Sequence, residues 1–377
     1  MRSRIVAALT LAVATGGQAQ PAAPRVRITE ELRLDATAED FPSVSRVFVG
    51  PGGQIVVPIS ADQHLRIYDS TGKRIAVVGH RGEGPGEFTG IGLVGWLRDT
   101  LWASDSRQRR TVFMGPDYRV LRTESWPQVG PGGIDSRKFR FASPIVMLPG
   151  GATLVQAIAA PPGRRVVLGI LSSGGYLQES LSMTDAEMSP DMIWISGWGF
   201  GVPFSLQPQY AFAHDGSRFT QLSAPIPDRS DGTFTVTLFQ TDGDTVFTRS
   251  YPFRGATIPR RVADSVVATL GPAPGHAVNT PVDLARQVQA EARRRMSSWY
   301  IPVETILLGL DRTIWIGLRV TDEGRGYLIL NDRGDPIGSL MVPASTRVRQ
   351  ASATRIWVTA TDEDGLSSVV RYRVSGL

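Results

Sequence analysis

The residue types that most often carry catalysis or bind transition metals are scarce in this chain. Its 377 residues include no cysteine and only four histidines, at positions 64, 80, 214 and 276. No pair of histidines has the spacing of a zinc site, and neither His-Glu-x-x-His nor Gly-x-Ser-x-Gly occurs. The glycine-rich runs lack the lysine of a phosphate-binding loop. These patterns disfavour zinc chemistry, an α/β-hydrolase nucleophile and nucleotide binding.

Calcium stays open as a cofactor because it requires only oxygen ligands. Two acidic turns supply such ligands, Asp242-Gly243-Asp244 and Asp362-Glu363-Asp364-Gly365. Neither turn has the spacing of an EF-hand loop, so ordinary hairpin turns are favoured. The sequence indicates no other cofactor.

A glycine-rich loop at residues 79–88 carries the first set of candidate ligand contacts. Its polar side chains are His80, Arg81, Glu83 and Glu87. The glycines permit backbone angles that other residues avoid, and Pro85 stiffens the turn. A structural joint between neighbouring repeats is the favoured interpretation, and ligand contact by the four polar residues is the alternative.

An aromatic segment at residues 194–204 carries the second set. Trp194, Trp198 and Phe200 lie on a glycine-rich stretch and could form a stacking platform for a sugar or a peptide. Packing of these aromatics between neighbouring repeats is the favoured alternative.

Internal repeats predict the elements that position these segments. Most of the chain consists of short stretches of alternating polarity separated by turn residues, which is typical of β-strands. A turn followed by an apolar strand recurs six times, and the copies align on Ile55, Leu101, Thr153, Arg218, Ile314 and Ile356. Spacings of about 40–65 residues, with one longer interval that holds an insert, are typical of propeller blades. An irregular β-sandwich is the alternative.

We therefore predict an all-β fold, a six-bladed β-propeller of four-stranded blades. Only three strands fit after residue 345, near residues 347–351, 355–360 and 367–374. Residues 26–34 form another strand at the opposite end of the chain. We expect this N-terminal strand to complete the last blade, because that pairing closes the ring and protects a free sheet edge.

A short helical insert is predicted at about residues 257–299, between blades four and five. The first helix is expected from Pro259 to a stop at Gly271-Pro272, and the second from Thr280 as N-cap to about Met296. The second helix carries four arginines that predict a solvated basic face, namely Arg286, Arg293, Arg294 and Arg295. A lid over the central channel and a docking surface for an acidic partner are the alternatives.

The N-terminus has the pattern of a signal peptide. Arg2 and Arg4 precede an apolar run and the small residues Gly16-Gly17-Gln18-Ala19, which predicts cleavage after Ala19. A buried helix is the alternative. We expect a signal peptide at residues 1–19, a single propeller domain at 20–377, no membrane span, and a periplasmic or extracellular location without lipidation because cysteine is absent.

The charge balance does not favour a nucleic-acid partner. The chain has 40 basic and 35 acidic residues and a formal net charge of +5. Basic residues form no stripe interleaved with aromatics, which is the usual footprint of nucleic-acid binding.

Two stretches of the chain resemble NHL repeats. These are residues 65–88, with Asp69-Ser70-Thr71-Gly72-Lys73 and the glycine-rich loop, and residues 101–113, with Asp105 followed by Arg110. The chain is similar to bacterial secreted six-bladed propellers related to NHL proteins. The resemblance implies the fold and assigns no activity. Blades three and four lack this pattern at the corresponding point of the repeat, so the resemblance transfers no binding role to them.

The sequence therefore predicts an exported noncatalytic propeller that acts as a ligand- or protein-binding or scaffold module. Its partner would be a protein, a peptide or a carbohydrate, and we expect a monomer. A hydrolase or lyase with a metal or an acid/base pair in the central channel is the alternative. Converging acids and a histidine in that channel would favour it, whereas only two asparagines, Asn279 and Asn331, disfavour a metal-dependent lactonase.

Overall fold

The described residues form a ring of six β-sheets. The computed structural model describes residues 23–130, 133–148, 151–160, 165–172, 174, 176–185, 189–195, 198–271 and 283–377. Within these ranges, each of the six sheets has four antiparallel strands. The predicted six-bladed propeller of four-stranded blades is confirmed.

The strands of the first three blades run outward from the ring axis in chain order. The chain begins with β1 (Arg27–Leu34), which belongs to the last blade. Blade one contains β2 (Phe48–Val49), β3 (Ile55–Ile59), β4 (His64–Tyr68) and β5 (Arg74–Val78). Blade two contains β6 (Ile91–Leu97), β7 (Thr100–Asp105), β8 (Arg110–Met114) and β9 (Val120–Ser125). Blade three contains β10 (Phe139–Met147), β11 (Thr153–Ala159), β12 (Arg165–Leu171) and β13 (Leu177–Asp185).

Blades four and five follow the same order, and blade six ends with β1. A hairpin of β14 (Met192–Ile195) and β15 (Trp198–Gly201) precedes blade four, which contains β16 (Gln209–Phe212), β17 (Arg218–Ser223), β18 (Asp231–Gln240) and β19 (Thr245–Arg254). The helices α1 (Arg260–Ala268) and α2 (Leu284–Arg295) come next. Blade five contains β20 (Val303–Leu308), β21 (Ile314–Leu318), β22 (Arg325–Leu330) and β23 (Pro336–Val342). Blade six contains β24 (Thr346–Ala351), β25 (Arg355–Thr361), β26 (Ser367–Ser375) and β1.

The hydrophobic core lies between the blades. All six alignment positions of the repeat fall on the second strand of a blade, and β3 is buried along its whole length. Apolar side chains of neighbouring blades pack in shared clusters, as Val236 of blade four does with Ile314 of blade five. Burial of these apolar faces is the main force that holds each blade against the next.

Strand β1 closes the ring as predicted. It pairs antiparallel with β26, from Arg27 opposite Ser375 to Leu34 opposite Val369. A β-bulge at Glu31 interrupts the register between Glu30 and Leu32. The outer edge of β26 is therefore covered by the other end of the chain.

The helical insert between blades four and five is also confirmed, with small differences at its helix starts. Pro259 stands one position before α1, because its ψ of 133° is extended and not helical. The N-cap position of α2 is Asp283. The predicted start of the second helix at Thr280 and Pro281 lies outside the described residues, as does the predicted signal peptide at residues 1–19. Among the described residues, no helix is long and apolar enough to cross a membrane.

The ring has two distinct faces. We call upper the face on which the last strand of each blade connects to the first strand of the next. The hairpin β14–β15 and both helices belong to such connections, beside blade four. They share a small core of Ile193, Val202, Val267 and Ala292. Blade four therefore carries extra structure on the upper face.

Candidate ligand-binding site in the central channel

The first strands of the blades line a channel along the ring axis. Its main cavity has a volume of about 270 Å³, near the lower end of the range for small-molecule sites. Five blades contribute apolar or aromatic wall residues, namely Phe48, Leu93, Ile145, Tyr210, Phe212 and Leu307. Blade six contributes the polar pair Arg349 and Gln350. The channel is thus an apolar cavity with one polar side.

Two glycines allow tryptophan rings to form part of the wall. A Cβ atom at Gly95 would lie 2.6 Å from the ring of Trp102, and a Cβ at Gly50 would lie 2.8 Å from the ring of Trp96. Any larger residue at either glycine would have to displace the indole ring. Both tryptophans line the main cavity.

Tyr210 adds a neutral hydroxyl to the channel wall. Burial raises the pKa of its phenol to about 12, although a hydrogen bond that Gln221 donates to the hydroxyl, 2.9 Å long, acts in the opposite direction. The phenol is therefore uncharged at neutral pH.

The upper mouth of the channel is basic. A second cavity of about 250 Å³ adjoins the main cavity and shares Phe48, Leu93 and Arg349 with it. The described residues that line the second cavity include four arginines and no aspartate or glutamate. The arginines are Arg46, Arg325, Arg347 and Arg349. We call these residues the arginine mouth.

Hydrogen bonds hold two of these guanidinium groups in place. Arg46 donates from Nη1 to the carbonyl oxygen of Gly92 at 2.6 Å, and Arg349 donates from Nε to the hydroxyl of Thr359 at 2.9 Å. Burial lowers the pKa of Arg349, and the positive charges of Arg347 and Arg325 lower it further. The neighbouring guanidinium groups therefore lie close enough to Arg349 to repel its charge.

The fourth arginine of the mouth already has a carboxylate partner. Arg325 is buried and donates to Glu304 at 2.7 Å. Arg319 approaches the other oxygen of Glu304 at 3.9 Å. Glu304 is thus occupied by two arginines and leaves the remaining charge of the mouth unbalanced.

The ionisable side chains among the described lining residues are arginines, tyrosines and His214. Among the described residues that line the two cavities, His214 is the only histidine, and none is a carboxylate. No three His, Asp or Glu side chains of the described residues cluster closely enough to hold a metal ion. Converging acids and a histidine, which would favour hydrolase or lyase chemistry, are not found in this lining.

The glycine-rich loop at residues 79–88 connects blades one and two on the upper face. Phe88 is fully buried between these blades, and Arg81 donates to the carbonyl oxygen of Ala61 at 2.8 Å. Nε2 of His80 lies 2.8 Å from a carboxylate oxygen of Glu87. The backbone N–H of Gly84 lowers the pKa of Glu87. These contacts support the interpretation of the loop as a joint.

The Asp-x-x-x-x-Arg pattern of blade two explains how this joint is held. The buried carboxylate of Asp105 accepts a hydrogen bond from the N–H of Thr89 at 2.8 Å. Arg110 donates to the carbonyl oxygens of Glu83, at 2.9 Å, and of Gly84 and Glu87. The motif therefore fastens the loop to the next blade, because it satisfies backbone groups that a turn leaves free.

The aromatic segment forms the hairpin β14–β15. Trp194 stands opposite Gly199, and a Cβ at that glycine would lie 2.6 Å from the Trp194 ring. Phe200 packs against the core shared with the helices. Trp194 and Trp198 are half-buried. None of the seven residues predicted from the two segments lines the channel, and their role in ligand contact stays a prediction.

The two acidic turns are hairpin turns that use their own carboxylates. Asp242 accepts a hydrogen bond from the N–H of Asp244 at 3.1 Å, and Asp362 accepts one from the N–H of Leu366 at 2.8 Å. The first is the bond of an ordinary Asx turn, and the second closes the hairpin from the side chain of its first residue.

The residues of the arginine mouth belong to no motif that the sequence singles out. One signal was present: Arg347 and Arg349 alternate on a strand that was predicted to be the first of blade six. In a regular strand, alternate residues share a face and would both point either at the axis or at a neighbouring blade, and the structure adds a β-bulge between Val348 and Gln350. Because an arginine without a charged partner is rarely buried in a core, the two side chains are expected to point at the axis.

Comparisons with solved structures agree with the fold. A candidate exported protein from Bacteroides fragilis superposes with a TM-score of 0.50 and 10% identity, over 93% of this chain and 95% of the other. A member of the DUF4221 family from Bacteroides vulgatus superposes with a TM-score of 0.47 and 10% identity, over 94% of this chain and 99% of the other. An inactive variant of virginiamycin B lyase from Staphylococcus aureus superposes with a TM-score of 0.45 and 12% identity, over 93% of this chain and 99% of the other.

No protein-family model and no curated protein sequence matches the chain. The propeller implied by the NHL resemblance is confirmed at the level of the fold, which is all that identities this low convey.

Proposed function

We propose that this chain is an exported, noncatalytic binding propeller whose ligand site is the central channel. The supporting observation is the apolar and aromatic lining of a cavity that opens to a basic mouth. Concave apolar sites with a few placed polar groups are typical of small-molecule binding. Most of the main cavity is bounded by strands, with turn residues such as Pro51 and His214 at its edge, so little ordering is needed when a ligand binds.

A neutral apolar probe tests whether the channel is a binding site. N-phenyl-1-naphthylamine becomes fluorescent in apolar surroundings and carries no charge at neutral pH. Leu93→Trp places a large ring where the two cavities meet and should weaken probe binding at least about tenfold, measured by fluorescence titration. Leu121→Trp is the matched control, because Leu121 is 59% exposed on the outermost strand of the same blade.

The folded state of each variant is checked by near-ultraviolet circular dichroism. If Leu93→Trp does not fold, Leu307→Trp provides the same obstruction from blade five. Wild-type affinity for the probe in a folded Leu93→Trp or Leu307→Trp protein would refute the channel as the site.

Export is the second part of the proposal. The supporting pattern is the basic start, the apolar run and the Gly-Gln-Ala end of residues 1–19. Expression of the full chain in a bacterial host with a periplasm should yield protein that begins at residue 20. Mass spectrometry of the periplasmic fraction measures this, and an intact chain confined to the cytoplasm would contradict it.

A further inference from the structure

We infer that the channel ligand is an anionic amphiphile, a molecule with one carboxylate or phosphate head at the arginine mouth and an apolar tail in the channel. This inference deepens the proposed function and rests on the channel being the binding site.

The arginine mouth is built to receive an anion. Arg347 and Arg349 of β24 both line the mouth, with a β-bulge between Val348 and Gln350, while Arg46 approaches from the connection before β2. Among the described residues, no carboxylate lies within salt-bridge distance of any of these three guanidinium groups. Planar guanidinium groups match the geometry of carboxylate and phosphate oxygens.

The position of Arg349 makes an anion more favourable there than on an open surface. Its Nε is held by Thr359, so the two terminal nitrogens have a fixed direction. The side chain is half-buried next to two other positive charges. An anion at this point would offset like-charge repulsion in a region that water screens only partly.

The channel below the mouth determines that the part of the ligand beyond its anionic head is apolar. Phe48, Leu93 and Leu307 lie at the junction of the two cavities and continue into the aromatic wall of Tyr210 and Phe212. A second charge on the ligand would have to enter this largely apolar wall, which is costly. A single anionic head with an apolar tail fits both parts of the site.

Competition with the neutral probe tests the charge of the head. Laurate, dodecyl phosphate, dodecanol and dodecyltrimethylammonium have tails of equal length and are compared below their micelle concentrations. We expect at least one anion to displace the probe at concentrations at least about tenfold lower than dodecanol and the cation. The stronger of the two anions identifies a carboxylate or a phosphate as the preferred head.

Tail length provides a second measurement. Octanoate, decanoate and laurate, or the alkyl phosphates if these bind better, should show affinities that rise by up to roughly fourfold for each added methylene. An affinity independent of chain length would contradict an apolar tail in the channel.

A double arginine variant locates the head. In Arg347→Gln/Arg349→Gln, the preference for the anion over dodecanol should fall to within about threefold. Taking the ratio within each protein removes any change in affinity for the probe itself. Arg286→Gln/Arg293→Gln is the matched control, since it removes two charges from the exposed face of α2, outside the described channel lining, and should keep the wild-type preference.

The outcomes separate the inference from the proposed function. If the probe binds in the channel but anions show no advantage, or keep their advantage in the mouth variant, the inference is wrong and the binding site stands. If the Leu93→Trp and Leu307→Trp proteins bind the probe like the wild type, the binding site itself is refuted.

Discussion

Glu31 of the closing strand β1 contacts three arginines of blade six. It occupies the bulge of β1, and its carboxylate lies 2.9 Å from Arg355, 3.2 Å from Arg371 and 2.8 Å from Arg373. Its side chain is 12% exposed. The hydrogen bond from Arg355, followed by that from Arg373, lowers the pKa of Glu31 from 4.5 to about 2, against the effect of burial.

Replacement of Glu31 should destabilise the closed ring. At pH 7, Glu31→Gln is expected to lower the free energy of unfolding by about 1–2 kcal/mol, after allowance for solvent screening of the cluster. Chemical denaturation measures the change. Glu30→Gln is the control, because Glu30 and its partner Arg33 are both 41% exposed and should matter by less than about 0.5 kcal/mol.

The contribution of Glu31 should also depend on pH. Because folding lowers its pKa, the ionised carboxylate stabilises the folded protein fully above pH 4.5, and this stabilisation is lost as the pH falls towards 2. The difference between wild type and Glu31→Gln should shrink over that range. A difference of the same size at pH 7 and at pH 3 would show that the ion cluster is not its source.

At the scale of elements, β1 has a role that no other strand has. It joins the two ends of the chain in one sheet, and its Leu34 is buried in the core between blades six and one. Without it, β26 becomes an exposed edge strand with unpaired backbone groups, which favours self-association.

Truncation tests this role directly. A chain that starts at residue 35 should have a lower melting temperature and should self-associate, whereas a chain that starts at residue 20 should be stable. Calorimetry and light scattering measure the two properties. A synthetic peptide of residues 23–34 should restore the melting temperature by adding the missing strand. A truncated protein that melts and sediments like the longer chain would contradict the closure.

The hairpin β14–β15 and the helices α1 and α2 are inserted between blades and contact one another. Arg295 of α2 donates to the carbonyl oxygen of Met192 at 2.8 Å and so ties the insert to the hairpin. Arg286, Arg293 and Arg294 are exposed, and Arg294 pairs with Glu291 at 2.6 Å. Three of the four arginines thus form the solvated basic face that the sequence predicts, and the fourth holds two elements together.

At the scale of the whole molecule, the channel exists only because six blades close into a ring. Each blade contributes its first strand to the wall, and the wall residues come from positions as distant as Phe48 and Arg349. The net charge of +5 conceals the contrast between a basic mouth and acidic residues elsewhere. A nearly balanced chain can therefore still present a strongly positive site.

The sequence by itself determined the blades, the closing strand and the helical insert. These features depend on strand alternation, turn residues and repeat spacing, all of which act over a few tens of residues. Only the tertiary structure decided which side of each first strand faces the axis, because that depends on how neighbouring blades pack. The arginine mouth and the apolar channel were therefore hidden in the sequence, whereas the conspicuous loop at residues 79–88 proved to make the contacts of a joint between blades.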